Sequence, residues 1–165
     1  MHLLDLDLDE LRQWLAAAGQ PAFRAAQIRR WLFASRADSF ADMSNLPQAL
    51  RQRLAAEVTL WSTQVVRHDR AADGTEKLLL QVPGGGQIEC VLLRDGVRRS
   101  ICVSSQVGCA MGCVFCASGL EGVERNLTRG EILEQMLRLQ RLLPEEERLS
   151  HVVMMGMGEP LAELF

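Results

Sequence analysis

The chain has 165 residues, a formal net charge of −3, 48% hydrophobic residues and 24% charged residues. This composition predicts a soluble globular protein of one domain or two small ones. No apolar run approaches the ~20 residues that span a bilayer, which excludes a transmembrane helix, and the overall charge gives no indication of nucleic-acid binding.

Residues 1–60 are predicted to form a small helical domain. Asp9 would cap a first helix that ends at Gly19, Pro21 suits the first turn of a second helix, and a third begins near Pro47. Residues 11–60 carry seven arginines against three acidic residues. Such an excess can form a phosphate-facing surface, but an ordinary solvated helix face explains it as well and is favoured on charge alone.

Residues 61–98 are predicted to form a small antiparallel β-hairpin segment. Short strand-like runs cover 63–68, 76–82 and 87–93, and they are separated by turn residues at Asp73-Gly74 and Gly84–Gly86. The glycine run lacks the Lys-Ser/Thr of a P-loop, and no helix follows it, so it is interpreted as a turn.

Residues 99–165 are predicted to begin an α/β barrel. A strand at 100–107 precedes a cysteine-bearing loop, Thr128 and Glu131 form a capping box at the start of a helix, and 151–157 is a nearly continuous apolar strand. A strand, a helix and a strand in this order form a βαβ unit. The fold class is therefore α/β, and the loop lies at the end of a strand where such barrels carry out their chemistry.

Three cysteines in that loop, Cys109, Cys113 and Cys116, have the spacing Cys-x-x-x-Cys-x-x-Cys. A [4Fe–4S] cluster normally takes four thiolates, so a cluster held by three leaves one iron open to a ligand. This is the pattern of radical S-adenosylmethionine (SAM) enzymes, in which the open iron binds SAM.

Three rival interpretations compete with a cluster for these cysteines. A disulfide framework is disfavoured, because the total of five cysteines is odd and the N-terminus is no secretory signal, which favours a reducing cytoplasmic location. A structural zinc site completed by Cys90, Cys102 or His151 stays open, although none has standard spacing. Chance burial of small thiols stays open too.

A glycine-rich segment ends the last predicted strand. Gly156 and Gly158 would let the backbone approach a ligand closely, and Glu159 adds a carboxylate. Glycine-rich strand ends are common, but one strand away from the cysteine loop this segment is a plausible cradle for the amino group of SAM.

Several strings together resemble one family. They are residues 104–116, 125–127 and 155–161, with 23–28, 43–47 and 73–77 upstream, so that the likeness covers the whole chain in order. The chain resembles the radical SAM RNA adenine methyltransferases of the RlmN/Cfr family. The cysteine spacing is shared by many radical SAM enzymes, whereas the longer string around it is far more specific.

The resemblance implies methyl transfer to C2 of an adenine in 23S rRNA, and of a tRNA adenine, with a [4Fe–4S] cluster and SAM as cofactors. It implies that Cys109, Cys113 and Cys116 hold the cluster and that Gly158 and Glu159 contact SAM. It further implies an RNA-contacting role for residues 1–60, a reducing electron donor, no membrane association and a monomer.

The resemblance also assigns two catalytic roles. Glu89 takes the position of the proposed proton acceptor, and Cys102 that of the cysteine that resolves the RNA–protein intermediate by forming a disulfide. Without the resemblance, a surface carboxylate and a buried thiol would be the preferred interpretations.

Three alternatives stay open at this point: C8 methylation as in Cfr, a non-catalytic RNA-binding module, and a zinc-stabilised binding protein. Members of the family are longer than this chain, and their methyl-carrying cysteine has no counterpart after Cys116. The expectation is that the chain is a truncated form and does not methylate RNA by itself.

Overall fold

The computed structural model describes residues 1–164, which fold as two compact units, Met1–Trp61 and a second that begins at Ser62. The predicted division into 1–60, 61–98 and 99–165 stays a prediction. The helices are α1 (Leu8–Ala17), α2 (Phe23–Phe33), α3 (Gln48–Glu57) and α4 (Arg129–Gln140). The strands are β1 (Gln64–Arg70), β2 (Glu76–Gln81), β3 (Gln87–Asp95), β4 (Arg98–Cys102), β5 (Gln106–Gly108), β6 (Val123–Asn126) and β7 (His151–Val153).

The first unit begins with a correction to the predicted cap of α1. Asp7, not Asp9, caps this helix: its carboxylate accepts the N–H groups of Asp9 and Glu10 at 2.8 Å, and the Glu10 carboxylate in turn accepts the Asp7 N–H. Both acids fit the pattern of a cap, but only Asp7 has a glutamate three residues later to complete a capping box.

The three helices of this unit pack their apolar stripes together. Each stripe repeats at helical spacing, which places its members on one side of the helix. The buried side chains include Leu11, Leu15, Ile28, Leu32, Leu50 and Leu54. Backbone hydrogen bonds of 2.8 Å from Leu3 to Thr59 and from Thr59 to Met1 tie the two ends of the unit together.

The second unit contains a five-stranded sheet in the order β1-β2-β3-β4-β7. The first four strands form an antiparallel meander, and β7 pairs in parallel with β4 after crossing over through α4. The predicted α/β class, with helices first, an antiparallel segment next and then one βαβ unit, is confirmed.

The predicted strand over 100–107 is in fact two strands in different sheets. β4 ends at Cys102, and β5 pairs with β6 in a separate hairpin. Between them, the side-chain amide of Gln135 accepts from the Ser104 N–H at 2.8 Å and donates to the Ser104 carbonyl at 3.0 Å. A helix side chain therefore takes the place of a strand partner at this point.

One face of the sheet carries the hydrophobic core of the second unit. Alternate residues of β2, β3 and β4 point to this face because side chains alternate along a strand, and they pack with Leu139 and Leu143. The buried apolar residues of these strands are Leu78, Leu80, Ile88, Cys90, Leu92 and Ile101, and Val103 is buried directly after β4.

Helix α4 begins at the predicted capping box of Thr128 and Glu131 and also buries polar residues. Glu134 is fully buried, and its carboxylate accepts the N–H and hydroxyl groups of both Ser62 and Thr63 at 2.6–2.9 Å. Arg138 pairs with the same carboxylate at 2.8 Å. This network fixes the chain where it enters β1.

Strand β7 is shorter and more exposed than predicted. Only His151–Val153 forms a strand, and Val152 is 46% exposed, because β7 is the edge of the sheet among residues 1–164. None of the helices described is both long enough and apolar enough to cross a membrane.

Candidate functional site

Strand pairing brings Glu89 and Cys102 to the same face of the sheet. Lys77 pairs with Val91, Val91 with Cys102, and Cys102 with Val153, so these four residues form one row across four strands. Glu89 is two residues from Val91 and therefore lies on the same face. This face, opposite the hydrophobic core, is called the open face below.

Glu89 is half exposed and paired with a lysine. Its Oε1 lies 2.9 Å from Lys77 Nζ, and the two side chains are 44% and 40% exposed. An ion pair this exposed contributes little to stability, about 0–1 kcal/mol. The lysine places a positive charge beside the carboxylate.

Cys102 is half-buried, and burial raises the pKa of its thiol, while a backbone hydrogen bond involving Met155 opposes that rise. Cys90, next to the strand partner Val91, lies on the core face, where burial raises the pKa of its thiol to about 12. All five cysteines are free thiols. The disulfide that the resemblance implied for Cys102 is not supported among the described residues.

The three spaced cysteines lie in the loop of the β5–β6 hairpin. A hydrogen bond of 2.9 Å from the Cys109 N–H to the Gly122 carbonyl closes the base of this loop. Gly108 must be glycine there, because a Cβ would lie 2.1 Å from the same carbonyl oxygen and its φ is +75°. The residues from Gln106 to Asn126 are called the cysteine hairpin below.

The chemistry of the cysteine hairpin suits an iron–sulfur cluster. Cys113 is exposed, and hydrogen bonds from Ser118 lower the pKa of the Cys116 thiol, which favours the ligating thiolate. Among residues 1–164, however, no three His, Cys, Asp or Glu side chains gather closely enough to hold a metal ion. A [4Fe–4S] cluster does not require such a gathering, because each of its thiolates binds a different iron.

The glycine-rich segment after β7 lies directly against the strand that leads into the cysteine hairpin. A Cβ at Gly156 would lie 2.6 Å from Ser104 Oγ, and one at Gly158 would lie 2.7 Å from Gln106 Cβ. Both distances are shorter than real Cβ contacts, so both positions require glycine. These close approaches are to the chain itself, and the predicted approach to a ligand stays a prediction.

Glu159 comes directly after Gly158, and two hydrogen bonds fix its position. Its N–H donates to Gln106 Oε1 at 3.1 Å, and its own carboxylate accepts the Leu161 N–H at 3.0 Å. Gly158 and Glu159, called the glycine turn below, are thus placed beside the first residue of the cysteine hairpin.

Sequence reasoning missed the polar residues that join these parts. The Ser104 hydroxyl donates to the Glu89 carbonyl at 2.6 Å and accepts the Met157 N–H at 2.8 Å. The Arg125 guanidinium donates two hydrogen bonds of 2.8 Å to the Glu131 carboxylate of α4 and one of 3.0 Å to the Pro83 carbonyl. The run Ser-Ser-Gln inside a predicted strand was the available indication, since polar residues in a buried strand need partners.

Comparison with known proteins gives a consistent result. Residues 1–60 match the family described as the ribosomal RNA large subunit methyltransferase N-terminal domain. The probable dual-specificity RNA methyltransferase RlmN of Rhodopirellula baltica is 64% identical over 163 residues, which are 99% of this chain and 44% of that protein. The protein of the same description from Geobacillus thermodenitrificans is 45% identical over 96% of this chain and 44% of its own length.

A solved structure agrees with these relatives. The crystal structure of a radical SAM methyltransferase from Sphaerobacter thermophilus superposes with a TM-score of 0.93 and 44% sequence identity. The superposed region covers 99% of this chain and 48% of the Sphaerobacter thermophilus chain. The chain therefore spans about half the length of the proteins that it matches.

Proposed function

We propose that this chain, which belongs over the length that it spans to the RlmN family of radical SAM RNA methyltransferases, supplies the cluster-binding part of such an enzyme. The reaction proposed for the whole protein is methylation of C2 of adenine in 23S rRNA and in tRNA. The observation that carries the proposal is the position of the cysteine hairpin beside the glycine turn, with Glu89 and Cys102 on the open face of the five-stranded sheet.

Cys109, Cys113 and Cys116 would hold a [4Fe–4S] cluster, and Gly158 and Glu159 would contact SAM. The cofactors supply radical chemistry, which suits an aromatic carbon that has no nucleophilic lone pair. This role needs thiols that stay reduced, which suits the cytoplasm, and an external electron donor.

The open face would carry the chemistry done by protein groups. Glu89 would accept a proton from the substrate carbon, and Lys77, 2.9 Å from it, would hold the carboxylate in place. Cys102 would resolve a covalent intermediate; its half-buried thiol is shielded from solvent but not sealed off.

RNA contact is proposed for residues 1–60, through the outer surface of α2. Arg24, Arg29 and Arg30 lie on this helix without an acidic residue among its eleven. The Arg24 guanidinium lies 4.9 Å from the ring of Phe23, which is 57% exposed. Cations that neutralise phosphates, together with an exposed ring on which a base can stack, are what RNA binding uses.

The cluster part is tested by metal analysis of the whole chain after anaerobic reconstitution. About four irons and four acid-labile sulfides per chain are expected, and they should disappear when Cys109, Cys113 and Cys116 are all replaced by alanine. One zinc without sulfide, or iron uptake that survives the triple replacement, would refute the proposal.

The RNA part is tested by fluorescence anisotropy with a labelled RNA hairpin at several salt concentrations. Arg29→Ala with Arg30→Ala should weaken binding and reduce the salt slope by about 0.7–0.9 for each phosphate that is no longer neutralised. Arg148→Ala, which removes an exposed arginine from the second unit, is the matched control. Equal effects of both changes would show that α2 is not the RNA surface.

A further inference from the structure

One buried side chain joins the glycine turn to the cysteine hairpin. Gln106 is 3% exposed, and it uses both ends of its amide. Its Oε1 accepts the Glu159 N–H at 3.1 Å, and its Nε2 donates to Asn126 Oδ1 at 2.9 Å on the opposite strand of the hairpin. Glu159 and Asn126 are thereby connected through a single residue.

The connection is short and has little freedom to move. The Gln106 backbone N–H also bonds the Met157 carbonyl at 3.3 Å, and Gly158 approaches so closely that a Cβ would meet Gln106 at 2.7 Å. Close-packed contacts of this kind transmit a displacement instead of absorbing it. A shift of the glycine turn therefore moves the Gln106 amide.

A second observation points to a ligand at the same place. Ser105 is 2% exposed, and its hydroxyl has no hydrogen-bond partner among the described residues. It lies 2.7 Å from the position that a Gly158 Cβ would take, so it faces the glycine turn. A buried hydroxyl without a partner costs free energy, which a polar ligand group can offset.

We infer that Gln106 is a positioning residue that couples the glycine turn, which would contact the amino group of SAM, to the hairpin that carries the cluster thiols. The inference rests on the proposed function and assigns Gln106 and Asn126 roles within it. Coupling of this kind is reciprocal: a hairpin ordered by the cluster favours binding at the turn, and a filled turn favours the ordered hairpin.

The test removes the hydrogen bonds of Gln106 to Glu159 and to Asn126 together in one variant, and the bond to Asn126 alone in another. Gln106→Leu removes both hydrogen bonds at nearly constant volume, whereas Asn126→Leu removes only the bond on the hairpin and leaves Glu159 its partner. Gln81→Leu is the matched control, because Gln81 bonds the Gly86 carbonyl at 2.7 Å and none of its hydrogen bonds is to the turn. Each reconstituted chain is assayed for iron, for SAM affinity by equilibrium dialysis, and for amide exchange at Glu159.

The expected result is that Gln106→Leu keeps the iron content of the unmodified chain and binds SAM about 10-fold more weakly, within the range typical of coupled sites. Asn126→Leu should weaken SAM binding in the same direction and speed exchange of the Glu159 amide, although Asn126 does not bond Glu159. Gln81→Leu should change neither quantity.

Unchanged SAM affinity and unchanged Glu159 exchange in Asn126→Leu would overturn the inference, even if Gln106→Leu were impaired. The exchange measurement needs no cofactor. If the unmodified chain takes up no iron or binds no SAM, the proposed function fails, and the Glu159 exchange rates of Asn126→Leu and Gln81→Leu still decide the coupling. If Gln106→Leu does not fold, Asn126→Leu decides it alone.

Discussion

The two faces of the five-stranded sheet are built from the same strands but differ in the polarity and exposure of their side chains. The centre of the core face is apolar and at most 3% exposed, and it consists of Leu78, Leu80, Ile88, Cys90, Leu92 and Ile101. On the open face, the residues between them are half-buried or exposed and include Lys77, Glu89 and Cys102. One face therefore carries the stability of the unit, and the other leaves its side chains available for chemistry.

The largest expected effect tests this division directly. Ile101 is fully buried on the core face, whereas Val91 is half-buried on the open face. Ile101→Ala should lower the free energy of unfolding by about 2–5 kcal/mol, because it leaves a cavity in the core, and Val91→Ala should lower it by about 1 kcal/mol or less. Urea unfolding followed by circular dichroism measures both, and equal decreases would break the comparison.

The second prediction compares an ion pair on each face. Burial acts to raise the pKa of the Glu76 carboxyl on the core face, but hydrogen bonds from Arg94 and His68 outweigh it, so that the pKa lies below its usual value of 4.5. A lowered pKa means that the stabilisation is fully present above about pH 4.5 and is lost as the pH falls below it.

Glu76→Gln should therefore cost about 1–3 kcal/mol at neutral pH, and it should flatten the loss of stability between about pH 4.5 and lower values. Glu89→Gln, in the exposed pair with Lys77, should cost less than about 1 kcal/mol. Unfolding curves at a series of pH values compare the two, and an acid response that persists in Glu76→Gln would assign it to other carboxylates.

The third prediction needs no substitution and compares the alkylation rates of two thiols. Cys90 is 1% exposed on the core face, with a pKa of about 12, whereas Cys102 is half-buried on the open face. A small neutral alkylating reagent should label Cys102 in the folded chain, on the order of 100-fold faster than Cys90, which reacts only when the chain opens. Peptide mapping by mass spectrometry gives both rates, and equal labelling would show that the core face does not exclude the reagent from Cys90.

Features with a local cause were predictable from the sequence. The capping box of Thr128 and Glu131 and the turns at Gly74 and Gly84–Gly86 depend on neighbouring residues, and the structure confirms them. The loop that carries the three cysteines also follows a strand, as expected. The cluster and SAM assignments themselves stay predictions.

Features that depend on distant partners were not predictable. Strand β6 has one apolar residue in Val-Glu-Arg-Asn and exists because the hairpin brings it against β5. Glu134 and Gln135 are buried because Thr63 and Ser104 need partners, which helical periodicity cannot indicate. The shared face of Glu89 and Cys102 follows from the pairing register, which one sequence does not reveal.

The Glu134 network has a consequence for the order in which the protein is made. Thr63 is held by a carboxylate 71 residues further along the chain. At a synthesis rate of about 5–20 residues per second, roughly 4–14 seconds pass before that partner exists. The β1–β3 meander can form by local pairing in that interval, but its first residues stay untethered on the ribosome until α4 has been translated.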